Sequence, residues 1–187
     1  MKKIDLLVWA ILLPTILFLA SCKKEAIVDP NEGELITTVK LRLTDLMQGN
    51  SVVNEFIFQD LDGEGGVAPQ KFDTIVVSKG KNYKCEVILL NESVTPVDNV
   101  TEEVIAEGVD HQVYIQSNPQ TLISVTNADK DANGLPLGIT SYWTIGNAMG
   151  QGLLNVTLKH KPGYKKVNDN VAVGDTDLSI DFKLKVL

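Results

Sequence analysis

The sequence contains few of the residues that catalytic and redox chemistry requires. Two cysteines and two histidines occur among 187 residues. It lacks the G-x-S-x-G motif of hydrolases, the H-E-x-x-H motif of zinc proteases and the glycine loops that hold phosphates. Neither cysteine has a plausible catalytic base beside it, and Cys85 alternates with Val87 and Leu89, which is typical of a small core residue. We therefore expect that the protein is not an enzyme.

Basic residues are outnumbered by acidic residues. The chain has 17 Lys and Arg against 24 Asp and Glu, which gives a formal net charge of −7. A surface of this sign repels phosphate backbones and anionic lipid headgroups. The composition therefore argues against nucleic acid as a partner and against electrostatic attachment to a membrane.

No apolar run in the sequence reaches the length of a transmembrane helix, about 20 residues. The apolar segment 6–19 is shorter, follows Lys2 and Lys3, and ends in small residues, which is the layout of a secretory signal. Residues 19–22, Leu-Ala-Ser-Cys, resemble the bacterial lipobox. This resemblance implies that the signal peptide 1–21 is removed and that Cys22 is acylated, with palmitate as an expected chain. A signal-anchor with an incidental cysteine would need a longer span.

The chain after the signal has the size of one domain. Residues 22–33 are polar and aperiodic, so we expect a lipidated N-terminus and a flexible tether. Apolar and polar residues then alternate in about nine short segments between Gly, Pro and Asn turns. Residues 34–187 are therefore expected to form a single all-β domain, an antiparallel, immunoglobulin-like β-sandwich, with a barrel as the alternative. The segments lie at 37–43, 56–58, 75–77, 83–89, 113–115, 123–125, 139–145, 154–158 and 178–186.

One segment departs from the alternation and predicts a short helix over 100–107. Asn99 stands where an N-cap residue would, and Glu102 follows three positions later, as in a capping box. Gly108 stands where a left-handed C-terminal cap would. The helix is acidic near its N-terminus, where the helix dipole favours negative charge.

Loop positions can be predicted from the strand count. Connections in an antiparallel sandwich reverse the chain, so successive loops fall alternately at its two ends. One end receives short turns near 47–51, 79–82, 117–120 and 147–152. The other end, which we call the acidic pole, receives the loop that begins at Asp60, the acidic helix, the loop 129–134 and the long loop after His160.

The loop 129–134 resembles the first half of a calcium-binding loop. Asp129, Asp131 and Asn133 place oxygens at alternate positions before a glycine, and Asp60 and Asp62 at the same pole can supply further carboxylates. The bidentate glutamate that completes a helix-loop-helix site is missing. The alternative is that Asp, Asn and Gly stand here because they form good turns.

The two histidines are expected to point inward at strand ends. Together with Glu107 or Asp110, His111 and His160 could form a mixed imidazole and carboxylate site for zinc. The alternative is that each histidine closes one end of the core through a hydrogen bond to the main chain or to a carboxylate.

A set of short motifs along the chain is similar to a family of small Bacteroidetes lipoproteins, often labelled "type 1 periplasmic binding fold superfamily protein". These motifs are residues 34–39, 60–63 with 65–66, 90–92, 101–103, 110–112, 129–138 and 176–177. The label names a two-domain α/β fold, whereas the alternation here predicts one β-sandwich. The resemblance implies a lipoprotein encoded near TonB-dependent receptors, and it carries over no catalytic residues.

These features predict a lipoprotein anchored in the outer membrane, on its periplasmic or its cell-surface face. We expect a binding or accessory module, with a TonB-dependent receptor as its partner and the acidic pole as its binding surface. The first strand begins at that pole, so the tether leaves from it. The alternative is a structural or adhesive surface module whose loops are stiffened by calcium.

Overall fold

Ten β-strands and one α-helix form from the alternating segments, in a computed structural model that describes residues 35–47, 51–63 and 65–187, with main chain alone at 51–53. All of these residues belong to one compact unit, Gly33–Leu187. The elements are β1 Thr38–Asp45, β2 Ser51–Gln59, β3 Lys71–Phe72, β4 Ile75–Val77, β5 Asn82–Leu90, α1 Val100–Ala106, β6 His111–Asn118, β7 Ile123–Asn127, β8 Thr140–Ile145, β9 Gly150–His160 and β10 Asp175–Val186.

Several predictions from the sequence lie outside these ranges. The signal peptide, Cys22 and the tether all precede the first described residue. Within the described part of the chain, no helix has both the length and the apolar character that a membrane crossing requires.

The strands form two separate sheets, which confirms the predicted β-sandwich and excludes the alternative of a barrel. One sheet has six strands in the order β3-β2-β1-β5-β8-β7, and the other has four in the order β4-β10-β9-β6. Every pairing between these strands is antiparallel except that of β4 with β10. All nine strands predicted from alternation are present. The tenth, β3, has only two residues and could not show a period.

Seven of the strands follow the immunoglobulin order. The series β1-β5-β8-β7 corresponds to strands A, B, E and D, and β6-β9-β10 corresponds to C, F and G. The segment between β1 and β5 adds β2 and β3 to the edge of the first sheet and places β4 beside the last strand of the second. Cys85 on β5 is buried and unpaired, and among the described residues it is the sole cysteine.

The core lies between the sheets and follows from the period-two alternation. Val39, Leu41 and Leu43 of β1 are fully buried, as are apolar residues at alternate positions of β5 and β9. Each large apolar side chain buried in this way contributes roughly 1.5–3 kcal/mol. Trp143 is also fully buried, and its indole Nε1 donates to the hydroxyl of Ser141 at 2.9 Å. The polar atom inside the core is thereby satisfied.

The strand registers place the loops at two ends as the sequence predicts. Thr38 pairs with both Gln59 and Leu90, so β1 begins where β2 and β5 end. In the second sheet His111 pairs with His160, so β6 begins where β9 ends. The loops at 60–70, 91–110, 128–139 and 161–174 therefore share the acidic pole.

The helix forms where it is predicted, with Asn99 as its N-cap residue, but the cap bonds differ from the prediction. The Asn99 side chain makes no cap bond to the main chain, and its amide Nδ2 donates to the Glu102 carboxylate at 2.7 Å. Glu107, with φ −98°, is the C-terminal cap residue, and Gly108 is not in the left-handed region. Thr101 holds the helix on the sheet through a bond from the Leu89 amide at 2.8 Å.

Candidate ligand-binding cleft at the acidic pole

A cleft opens at the acidic pole because the chain crosses between the sheets there. After β3 the chain leaves the first sheet, and β4 pairs with β10 only along Leu184 to Val186. The earlier half of β10 therefore has β9 on one side and the loop 60–70 on the other. The space between them is a cleft of about 660 Å³, which lies within the range of roughly 300–1,000 Å³ for small-molecule sites.

The walls of the cleft are apolar and polar in about equal parts. Its lining includes Phe58 from β2, Leu178 and Ile180 from β10, and Leu35 and Ile36 from the segment that leads into β1. Aromatic contacts hold Phe58 in place. Phe58 packs edge-to-face on Phe72 at 5.1 Å between ring centroids, and Phe72 packs in the same way on buried Phe182 at 5.5 Å. An apolar ligand body would therefore be in contact with rigid side chains.

Asp60 places a buried carboxylate in this cleft. Its amide donates to the Thr37 carbonyl at 2.8 Å, which fixes the residue at the end of β2. The side chain is only 8% exposed, and Oδ1 has no hydrogen-bond partner among the described residues. Burial, and then the neighbouring charge of Asp62, raise the pKa of Asp60, although amides of Asp62 and Gly63 partly oppose the shift. Such a group is strongly disposed to accept a hydrogen bond.

Asp177 enters the same cleft from the opposite sheet. The register of β10 with β9 shifts between Thr176 and Leu178, and this bulge re-aims the side chain that it contains. Oδ2 of Asp177 is buried without a hydrogen-bond partner in the described part of the chain. Burial raises the pKa of Asp177, against the opposing effects of His111 and His160.

Asp62, by contrast, forms a hydrogen bond within the loop and does not line the cleft. Its Oδ2 accepts the amide of Val67 at 2.8 Å, and this bond is the main reason why the pKa of Asp62 is lowered. Gly63 and Gly65, which follow it in the chain, adopt positive φ angles, which L side chains rarely allow. The loop wall of the cleft is therefore built by one carboxylate and two glycines.

The histidines stack beside the cleft instead of converging on one point. The rings of His111 and His160 lie 4.8 Å apart between centroids and are inclined by 14°. Ring nitrogen lone pairs lie in the ring planes, so this stacking does not aim both at one ion. Nδ1 of His111 lies 3.2 Å from the Glu107 main-chain oxygen, and burial lowers the pKa of His111.

The residues named for calcium are spread over different contacts. Asp129 accepts the amides of Gly138 and Thr140 at 2.7 and 2.8 Å. Oδ1 of Asp131 accepts the amides of Asn133 and Leu135 at 2.8 and 2.9 Å, which forms the turn that the alternative interpretation describes. In the described ranges, no three Asp, Glu, His or Cys side chains are grouped to hold a metal ion, neither for the calcium set nor for His111, His160, Glu107 and Asp110.

A buried lysine holds the Asp131 turn against its neighbours. Lys165 lies 2.8 Å from Oδ2 of Asp131, and the two side chains are 2% and 0% exposed. The same ammonium group donates to the carbonyls of Gly108 and His111 at 2.6 and 2.7 Å. Burial acts to raise the pKa of Asp131, but the bonds from Lys165 and from the Leu135 amide lower it below its usual range. Three loops of the pole are thereby joined.

A second buried lysine folds the long loop back on itself. Lys161 donates to Asp169 at 3.1 Å and to the Asn170 carbonyl at 3.0 Å, contacts the Tyr114 hydroxyl, and lies 4.5 Å from the centre of the Tyr114 ring. Burial acts to raise the pKa of Asp169, but the bond from Lys161 lowers it overall. Lys161 and Lys165, the buried lysine pair, thus fix the pole beside the cleft.

Sequence reasoning identified part of this site. Asp60 was named, but as a calcium ligand, whereas Asp177 and the buried lysine pair were not named. Their only signals were the Asp-Thr-Asp run at 175–177 and the lysines after His160. Neither signal indicates which residue across the fold each group will meet.

Comparisons of the chain with protein-family models, with curated proteins and with solved structures found no match. The candidate site is therefore defined by its own geometry. It combines apolar side chains with two carboxyl groups from opposite sheets, and no Lys, Arg or His occurs among the described residues of its lining. Such a cleft can hold a ligand that presents hydrogen-bond donors next to an apolar body.

Proposed function

We propose that the protein is a lipoprotein of the outer membrane that binds a small ligand in the cleft at its acidic pole, as an accessory to a TonB-dependent receptor. The observation that supports binding is the buried carboxylate of Asp60, which lines the cleft and whose Oδ1 has no partner among the described residues. A group of this kind reduces stability unless a partner arrives. Functional sites are where such groups occur most often.

The alternative function requires free oxygens in the loop 129–134. A calcium-stiffened module would bind the ion through Asp129, Asp131 and Asn133. The oxygens of both aspartates accept main-chain amides or pair with Lys165. The cleft therefore supports ligand binding better than the loop supports calcium-dependent stiffening.

Filling the cleft tests the proposal. Val67 lines the cleft and is 69% exposed, so Val67→Trp adds bulk to the cleft without disturbing the core. We expect native mass spectrometry of the full chain, extracted from outer membranes in detergent, to show a bound small molecule that Val67→Trp loses. Val167→Trp is the matched control, since Val167 is 71% exposed and does not line the cleft.

Two results would contradict this proposal. One is a wild-type chain that carries no mass beyond its acyl groups. The other is a bound mass that Val67→Trp retains in the same proportion as Val167→Trp.

A further inference from the structure

We propose that the ligand of this cleft is an organic cation, an amine joined to an apolar body. This inference rests on the proposed function and names the chemical class of the ligand. It follows from three properties of the cleft: its charge, the placement of its unpartnered oxygens, and its walls.

The charge of the lining has one sign. Asp60 and Asp177 are its ionisable residues, and the described lining contains no basic side chain. The charge of Asp62 repels the Asp60 carboxylate, and burial adds to the cost of its ionisation because the surroundings have low polarity. An ammonium group beside Asp60 would offset the repulsion and the lost hydration together, whereas an anion would add to both.

The unpartnered oxygens point to a donor with several hydrogens. Oδ1 of Asp60 and Oδ2 of Asp177 are both buried and both lack a partner in the described residues. Each of them can accept a hydrogen bond from a ligand in the cleft. An ammonium group has three donors and no acceptor, which suits a cleft whose unpartnered groups are acceptors. Hydrogen bonds between charged partners are about twice as strong as neutral ones.

The walls argue for an organic cation over a metal ion. Calcium takes six to eight oxygen ligands, mostly from carboxylates, carbonyls and water. Asp62, the nearest additional carboxylate, bonds the Val67 amide, and no group of three acidic or histidine side chains is placed for a metal in the described ranges. Phe58, Leu178 and Ile180 offer apolar contact instead. The carbon skeleton of an amine would cover that surface.

Three probes with one apolar body test the inference. The full chain is placed in phosphatidylcholine nanodiscs and titrated by calorimetry with 2-phenylethylamine, 2-phenylethanol and 3-phenylpropanoate, and the heat from empty nanodiscs is subtracted. We expect the amine to bind at least about tenfold more tightly than the alcohol, the gain of a charge-assisted bond over a neutral one. We expect no binding of the carboxylate.

Substitutions assign the effect to the two carboxyl groups. Asp60→Asn and Asp177→Asn should each weaken amine binding about tenfold or more and leave alcohol binding within about twofold. Asp177 is half-buried at a strand bulge, so its variant keeps the test valid if Asp60→Asn folds poorly. Thermal melts of both variants check folding.

The possible failures can be told apart. Equal binding of amine and alcohol, both lost in Val67→Trp, would overturn the cation assignment and leave the cleft as a binding site. Displacement of the amine by calcium chloride at constant ionic strength would make the site a metal site and also overturn the assignment. Absence of any binding that Val67→Trp removes would overturn both this inference and the proposed function.

Discussion

Asp60 and Asp62 stand two positions apart in the chain, yet the fold shifts their pKa values in opposite directions. Burial and repulsion raise the pKa of Asp60, while the Val67 amide lowers the pKa of Asp62. A raised carboxyl pKa means that the folded state binds the proton more tightly than the unfolded chain, so ionisation destabilises the fold. A lowered pKa has the reverse effect. The two residues therefore predict opposite responses to the same substitution.

We expect Asp60→Asn to raise the melting temperature at pH 7, because the variant removes a charge that the fold disfavours. The gain should begin as pH rises above 3.8, the ordinary value for the carboxyl, and vanish below it. Asp62→Asn should lower the melting temperature at pH 7, and its loss should shrink as pH falls below 3.8. Calorimetric melts from pH 3 to 7 measure both differences. A loss of stability in Asp60→Asn at pH 7 would mean that its carboxylate has a partner.

The sequence predicted where the site lies better than it predicted which residues form it. The sequence placed Asp60 and the Asp-Thr-Asp run at one pole, because strand counting needs only alternation. It could not reveal that Asp177 lines the same cleft as Asp60, since that depends on the bulge in β10 and on the crossing before β4. It also could not distinguish buried Lys161 and Lys165 from surface lysines.

At the scale of elements, strands were predictable and the helix caps were predictable only in part. Alternation along β1, β5 and β10 is read directly from residue type, because a strand exposes every second side chain. The helix was predictable from the break in that alternation. Asn99 is the N-cap residue as predicted, but its side chain bonds to Glu102 and makes no cap bond, a choice between partners that the sequence leaves open. The predicted cap at Gly108 was wrong, since Glu107 is the C-terminal cap residue.

The buried lysine pair connects the loops of the acidic pole to one another. We expect Lys165→Met to destabilise the protein by about 3 kcal/mol or more, since it leaves Asp131 buried without its counter-charge. The double variant, which adds Asp131→Asn, should regain most of the lost stability. Asn keeps an acceptor for the Asn133 and Leu135 amides and removes the charge. Urea unfolding of the two single variants and the double variant measures the coupling. Additive losses of stability would show that Lys165 and Asp131 do not stabilise the protein through their contact with each other.

At the scale of the whole molecule, the first described residue connects the cleft to the proposed anchor. Leu35 lines the cleft, so the described chain enters the domain at the acidic pole. A domain held by Cys22, as proposed, would therefore keep its ligand site on the side of its attachment. The pole carries acidic loops, and anionic headgroups repel such a surface, so the proposed lipid would supply the attachment.

We expect Cys22→Ser to abolish incorporation of labelled palmitate completely and to move the protein from the membrane to the soluble fraction. Cys85→Ser is the matched control. Cys85 is fully buried and burial raises the pKa of its thiol, so it should not be acylated. Labelling that persists in Cys22→Ser and disappears in Cys85→Ser would place the modification on the wrong cysteine for a lipoprotein.

The burial of Lys161 and Lys165 also sets how fast their amines meet reagents in water. Exposed lysines such as Lys79 and Lys166 react with acylating reagents from the folded state. The two buried amines react only from states in which the loops around them have opened. Their labelling rate, relative to that of exposed lysines, is therefore a measure of how often the loops that they hold together come apart.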